Sequence, residues 1–272
     1  MIHEVEISAL LDCREDAQQH HRAGVTRHMK TIDYDAISKV YDEVRTGDPE
    51  MVHHILEGIA LTPDSKVLDV GCGTGNNTLL LQAATSSKLI GLDISRGMLQ
   101  KARKKADQIQ LVQSPAESIP FADRSFRLVY MTEVLHHIRD TGSALQELHR
   151  ILEPDGSICI VTQSHQQIEQ RMTSRFFPAS AKVDKERYPD ISVIEGILTA
   201  SGFRDVQPIS LSFKPVRLGN DYLLTVTGRG YSMLHKISKN DFEWGLKRLR
   251  AAYDAGEKLI YSSGYTFVWA KK

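Results

Sequence analysis

Cysteine is scarce in this sequence: Cys13, Cys72 and Cys159 are the only three in 272 residues, far apart and without a CxxC pair. That excludes a disulfide framework and a zinc knuckle, and it suits a reducing compartment. Net charge is missing too, because 34 lysines and arginines stand against 34 aspartates and glutamates. With no sequence-wide basic field to hold a phosphate backbone, nucleic acid is not an expected partner. The local run Lys101, Arg103, Lys104, Lys105 reads as the solvated face of a helix whose other face is Met98, Leu99, Ala102 and Ala106. No apolar stretch approaches the ~20 residues of a membrane-spanning helix, and the opening MIHEVEISALLDCRED is acidic where a secretory leader would be basic. The expectation is a soluble, cytoplasmic protein without a membrane partner. Internal repeats and low-complexity tracts are also absent.

What the sequence does contain is alternation. Short apolar runs, Lys66–Val70, Lys88–Asp93, Ile109–Gln113, Arg127–Met131 and Ser157–Thr162, have the character of strands buried on both faces. Helical segments at about 75–84, 95–106 and 142–152 separate them, and Asp48-Pro49 opens a further helix that should stop near Leu61. Repeated strand–helix units predict a parallel, doubly wound α/β sheet with ligands at the carboxyl ends of the strands. Residues 1–33 have weak periodicity and read as an N-terminal segment or lid. Residues 164–190 are too long for a simple connection and suggest a lid insertion. Over 191–272 the pattern gives a helix to Ser201, a strand at Arg204–Phe213, a helical insertion at about 214–257 and a last strand at Tyr265–Ala270.

The first strand runs straight into Asp69-Val70-Gly71-Cys72-Gly73-Thr74-Gly75-Asn76 and then a helix. Glycines at 71, 73 and 75 permit positive φ and let the backbone approach a ligand with no Cβ in the way. The spacing is G-x-G-x-G; a dinucleotide loop wants its third glycine at 76, where Asn76 stands, which weakens a nicotinamide reading. Eleven histidines include the adjacent pairs His20-His21, His53-His54 and His136-His137. Neighbours on a helix point about 100° apart, so these pairs do not turn both imidazoles to one ion, and no metal site is expected.

VLDVGCGTG resembles motif I of the class I S-adenosylmethionine-dependent methyltransferases, and GLDIS resembles the acidic motif after it. Three further stretches match in order: AESIPFADRSF, VYMTEVLHHI and ELHRILEPDGSICIV, the last with Asp155 in place of a glycine. Upstream, Tyr34 and Tyr41-Asp42-Glu43-Val44-Arg45 are similar to the YDxxR element that closes over the cofactor. The resemblance covers residues 34–163, which it marks as the cofactor-binding core. It implies a Rossmann-like, seven-stranded sheet, mostly parallel with the last strand antiparallel, carrying helical lid insertions.

It also implies S-adenosylmethionine as cofactor and a set of contacts. Asp69 faces the methionyl ammonium, directly or through water, and the backbone from Gly71 through Cys72 to Gly73 lines the amino-acid tail, with Thr74 and Gly75 completing the cofactor loop. Asp93 takes the ribose diol, with Ile94 beside it; Ala116 and Glu117 meet the adenine edge, and Thr132 faces the cofactor from the end of strand four. Tyr41 and Arg45 close over it. Pro115 occupies the position where the family often has an aspartate for the adenine amino group, leaving Ser114 or Gln113 for that contact. Since a sulfonium methyl is already activated, the protein mainly supplies positioning and a dry pocket, with His137 or Glu133 as a base where the acceptor loses a proton. No NPPY-like signature occurs, so the expected acceptor is a small molecule. A cofactor binder without catalysis and an NAD(P)-dependent oxidoreductase are the alternatives. Arg171, Arg175, Phe176 and Phe177, or Tyr222, Tyr231, Phe242 and Trp244, either grip the acceptor or pack a small core of their own.

Overall fold

The computed structural model describes residues 47–105 and 108–272. The expectations for residues 1–33, for Tyr34, Tyr41 and Arg45, and for Cys13, the His20-His21 pair and Ala106 lie outside the described residues.

The chain enters helix α1 (Pro49–Glu57) as its sequence requires: the Asp48 carboxylate accepts from the Met51 N–H at 3.0 Å, and Pro49 fills the first turn. It ends at Glu57, four residues before the expected end, with Gly58 as its C-cap. A Cβ there would lie 2.2 Å from the Trp269 ring, which leaves room only for glycine. The strands then follow: β1 (Lys66–Val70), α2 (Asn76–Ala84), β2 (Lys88–Asp93), α3 (Arg96–Lys105), β3 (Gln110–Gln113), β4 (Phe126–Thr132), α4 (Thr141–Ile151) and β5 (Leu152–Thr162). In α3, Met98, Leu99 and Ala102 are buried while Arg103, Lys104 and Lys105 stay in water, the amphipathic split predicted above.

β5 starts five residues before its expected Ser157. A bulge against β4 absorbs Glu153 to Gly156, and Asp155 takes φ +59°. Aspartate tolerates that conformation, whereas at Gly156 a Cβ would sit 2.9 Å from the Glu153 carbonyl oxygen. The family's first glycine is thus dispensable here and the second is not.

Three short helices, α5 (His165–Gln170), α6 (Met172–Phe176) and α7 (Pro178–Arg187), replace the expected lid connection, and α8 (Ile191–Ala200) returns the chain to the sheet at β6 (Arg204–Ser212). The second insertion is bracketed by a two-stranded ribbon, β7 (Val216–Arg217) with β8 (Ile260–Tyr261), which encloses α9 (Asn220–Thr227) and α10 (Lys239–Asp254). β9 (Gly264–Lys271) ends the described chain.

The sheet has seven strands in the order β3-β2-β1-β4-β5-β9-β6. β9 runs antiparallel to both of its neighbours and the other six strands are mutually parallel. Side chains alternate across it, so Leu68, Val70, Val129 and Met131 pack toward α4 and α8, while Val67, Leu128 and Tyr130 pack toward α1 and α2. A third apolar cluster, built on Phe176, Phe177, Val226, Leu234, Phe242 and Leu249, belongs to the two insertions alone. The strand order reverses between β1 and β4, and the glycine turn opens at that point.

Candidate functional site

The turn after β1 is held by its backbone. The Gly71 and Cys72 N–H groups both donate to the Leu92 carbonyl, at 2.7 and 3.0 Å, and Gly75 N–H donates to the Cys72 carbonyl at 2.9 Å. Gly71, Gly73 and Gly75 have φ of +73°, +55° and +79°. Their roles differ. A Cβ on Gly71 would meet Val134 at 2.4 Å, a packing constraint, but a Cβ on Gly73 would have no atom within 4 Å. The backbone at Gly73 therefore borders open space, as a ligand-cradling loop must.

Cys72 has a structural reason to be there: Gly91 on β2 has no side chain, and the Cys72 sulfur occupies the space its Cβ would take. Burial and the nearby Asp69 and Asp93 carboxylates push its thiol well above the usual range, so it is no nucleophile.

Two carboxylates flank the turn. Asp69 is 1% exposed, and its Oδ2 accepts from both the Thr78 hydroxyl (2.7 Å) and the Tyr130 hydroxyl (2.8 Å). Its Oδ1 is buried and has no hydrogen-bond partner. Burial raises the Asp69 pKa to about 6 against the two hydroxyl donors, with Asp93 adding repulsion. A buried acceptor left over beside a carboxylate this costly to ionise fits the ammonium of a methionyl tail. Asp93 ends β2; its Oδ2 accepts from Gly73 N–H and its Oδ1 from Ser95 N–H, both at 2.8 Å. Ser95, not Asp93, caps α3 by accepting from Met98 N–H. Ile94 follows, a large apolar side chain left 67% exposed.

On the other wall, the Ser114 N–H donates to the Asp93 carbonyl and the Ser114 hydroxyl to the Ser118 carbonyl at 2.6 Å, which folds 114–118 into a tight turn with Ala116 buried and Glu117 half-buried. Gln113 Nε2 donates to the Ile94 carbonyl. Gln113 is thereby tied to Ile94, and Ser114 to Asp93 and Ser118. Thr132 ends β4 and accepts from Asn77 Nδ2 at 3.2 Å, while Asn77 Oδ1 accepts from Asp48 N–H, which ties α1, α2 and β4 together.

Beyond Thr132 lies a buried polar network that sequence reasoning did not foresee. Glu133 has φ +58°, and its carboxylate accepts from the Tyr188 hydroxyl at 3.0 Å. His136 stacks on the Tyr188 ring at 3.7 Å, whereas His137 is exposed. Arg171 donates through Nε to Gln163 (2.6 Å) and through NH1 to Asp184 (2.5 Å), and Arg187 donates to the other Asp184 oxygen. Of the aromatic residues set aside for acceptor or core, Phe176, Phe177 and Phe242 are core, with Phe177 stacked on Phe242. Trp244 is exposed against Arg248, and Arg175 pairs with Glu257. No three His, Cys, Asp or Glu side chains among the described residues are placed to hold a metal ion.

Residues 68–160 match the family model described as a methyltransferase domain. A demethylmenaquinone methyltransferase of Staphylococcus epidermidis is 33% identical over 177 residues, covering 56% of this chain and 73% of the relative. Another, of Lysinibacillus sphaericus, is 29% identical over 216 residues, 73% of this chain and 89% of the relative. Among solved structures, a candidate methyltransferase from an antibiotic biosynthesis pathway of Anabaena variabilis superposes with a TM-score of 0.72 at 22% identity, over 84% of this chain and 98% of that one. The Haemonchus contortus phosphoethanolamine N-methyltransferase 2, bound to phosphomonomethylethanolamine and S-adenosylhomocysteine, gives 0.56 at 17% identity, over 89% and 61%. The chain belongs to the S-adenosylmethionine-dependent methyltransferases. It is a transferase of methyl groups whose cofactor is S-adenosylmethionine, on a seven-stranded sheet of the Rossmann-like kind.

Proposed function

We propose that the chain methylates a small-molecule acceptor admitted between the end of β4 and the helical cap formed by the insertions at 164–190 and about 214–257. The observation that carries this reading is the Glu133–Tyr188 hydrogen bond, which joins the residue after Thr132 to the cap. Residues 34–163 form the cofactor half in this scheme. Asp69 holds the ammonium, and Gly71, Cys72, Gly73, Thr74 and Gly75 line the tail. Asp93 takes the ribose hydroxyls, Ile94, Ala116 and Glu117 flank the adenine, and Thr132 faces the sulfur side. Tyr41 and Arg45 enter on the resemblance alone.

S-adenosylmethionine supplies a methyl group already activated on a sulfonium sulfur. The chain's own contribution is to bind, orient and exclude water. Glu133, half-buried and aligned by Tyr188, is the group that takes a proton from an acceptor that must lose one; His137, exposed, is the weaker choice. Support for a small acceptor comes from relatives named for demethylmenaquinone and from the neighbour bound to phosphomonomethylethanolamine. The described cysteines, Cys72 and Cys159, are free thiols, which suits the cytoplasm. No helix among the described residues is long and apolar enough to cross a membrane.

Release of S-adenosylhomocysteine across a panel of quinols, phenols and amines tests the reading. Turnover with one class, lowered roughly 10²-fold or more by Glu133→Gln at neutral pH, is expected where the acceptor loses a proton. Release only with a protein or nucleic acid substrate would overturn it.

A further inference from the structure

The way Asp69 is held goes beyond the family pattern. It lies directly opposite Tyr130 in the parallel pairing of β1 and β4, so both side chains leave the sheet on the same face. That face is the apolar layer of Val67, Leu128, Leu81 and Phe267, in which a phenylalanine and a valine would fill the volumes of Tyr130 and Thr78. The two hydroxyls are there for another purpose. Thr78 stands in the first turn of α2, and its hydroxyl crosses to Asp69 on β1 at 2.7 Å. Tyr130 crosses from β4 to the same oxygen, and both residues are fully buried. Two donors can be split between the oxygens of a carboxylate or gathered on one of them. The structure has both on Oδ2 and leaves Oδ1 bare.

We propose that Tyr130 and Thr78 are positioning residues for cofactor capture, engaging one oxygen of Asp69 so that the other is kept as the acceptor for the cofactor's ammonium. The inference rests on the reading that Asp69 meets that ammonium. Besides Tyr130, the titratable groups acting on or through Asp69 are Asp93 at the end of β2 and Cys72 in the turn; Asp93 opposes ionisation of Asp69, and the two hydroxyls favour it. Losing one donor therefore disturbs the orientation of the carboxylate and also raises the pH needed to ionise it.

Calorimetric titration of the full chain from about pH 5.5 to pH 8.5 tests this with two probes: S-adenosylhomocysteine, and 5′-methylthioadenosine, which lacks the amino-acid tail. Tyr130→Phe should weaken S-adenosylhomocysteine about tenfold near pH 6.5 and only two- to threefold near pH 8.5, leaving 5′-methylthioadenosine unchanged. Thr78→Val should move the curve in the same direction, and Thr78→Ser should restore it; this pair carries the test if Tyr130→Phe does not fold. Equal weakening of both probes, or an unmoved pH profile, would overturn the positioning role. Asp69→Asn separates the layers: if it leaves the preference for S-adenosylhomocysteine intact, the underlying reading of Asp69 fails, and if it abolishes the preference while Tyr130→Phe changes nothing, only the positioning role does.

Discussion

Gly71 and Gly73 share a left-handed conformation, yet they serve different ends, and two substitutions separate them. Gly73→Ala places its methyl group in open space, so the fold should lose only the roughly 1–2 kcal/mol of a strained φ while cofactor affinity collapses. Gly71→Ala drives a methyl group into Val134 and should cost substantially more stability. Thermal denaturation beside cofactor titration distinguishes the two outcomes. Asp69 gives a second prediction at this scale. Its folded pKa of about 6 lies above the roughly 3.9 of an unfolded aspartate, so the native state holds the extra proton between those values. Stability without cofactor should therefore fall as pH rises from about 4 to about 6, by roughly 2–3 kcal/mol from this group, and level off above. On the proposed contact between Asp69 and the cofactor's ammonium, the stabilising shift in Tm on cofactor binding should be larger at pH 7 than at pH 5. An unchanged shift would mean that the ammonium sits elsewhere.

Among the elements, the first insertion depends on Arg171, at the junction of α5 and α6, and on α7 holding a charge cluster away from water. Asp184 is buried and answers two arginines at once, Arg171 and Arg187, whose side chains are 11% and 5% exposed. Asp184→Ala strands both cations and should cost about 3–5 kcal/mol in denaturant unfolding. Arg175→Ala, which removes a half-exposed pair with Glu257 and a contact over the Phe176 ring, should cost about 1 kcal/mol, well below the Asp184 variant. The same elements mark where sequence reading succeeded and where it stopped. The turn from Gly71 to Gly75, the Asp48-Pro49 helix start and the polar face of α3 are local events, decided by residues within a turn of one another. The cap is not local: Phe177 stacks on Phe242, and Tyr188 reaches Glu133 across 55 positions. A stretch rich in arginine and phenylalanine looks the same whether those side chains grip a ligand or one another, and only the tertiary partner decides.

Taken whole, the molecule separates a sheet whose motif-bearing strands and turns were legible in the sequence from two insertions that pack together in their own apolar cluster. Most of the seven strands were legible as short apolar runs bounded by turn residues, while the antiparallel direction of the last came with the family resemblance. The bulge that lengthens β5 was not, since it arises from pairing with β4. The insertions meet the core through Glu133, Tyr188 and Gln163, the last of which donates to the Gly264 carbonyl 101 residues further along. That separation has a kinetic meaning during synthesis. β5 emerges early, but the strand that covers its outer edge follows only after both insertions, and at about 5–20 residues per second the interval is roughly 5–20 s. Throughout that time the nascent sheet presents an open ladder of amide and carbonyl groups, the kind of edge that recruits neighbouring chains or a chaperone.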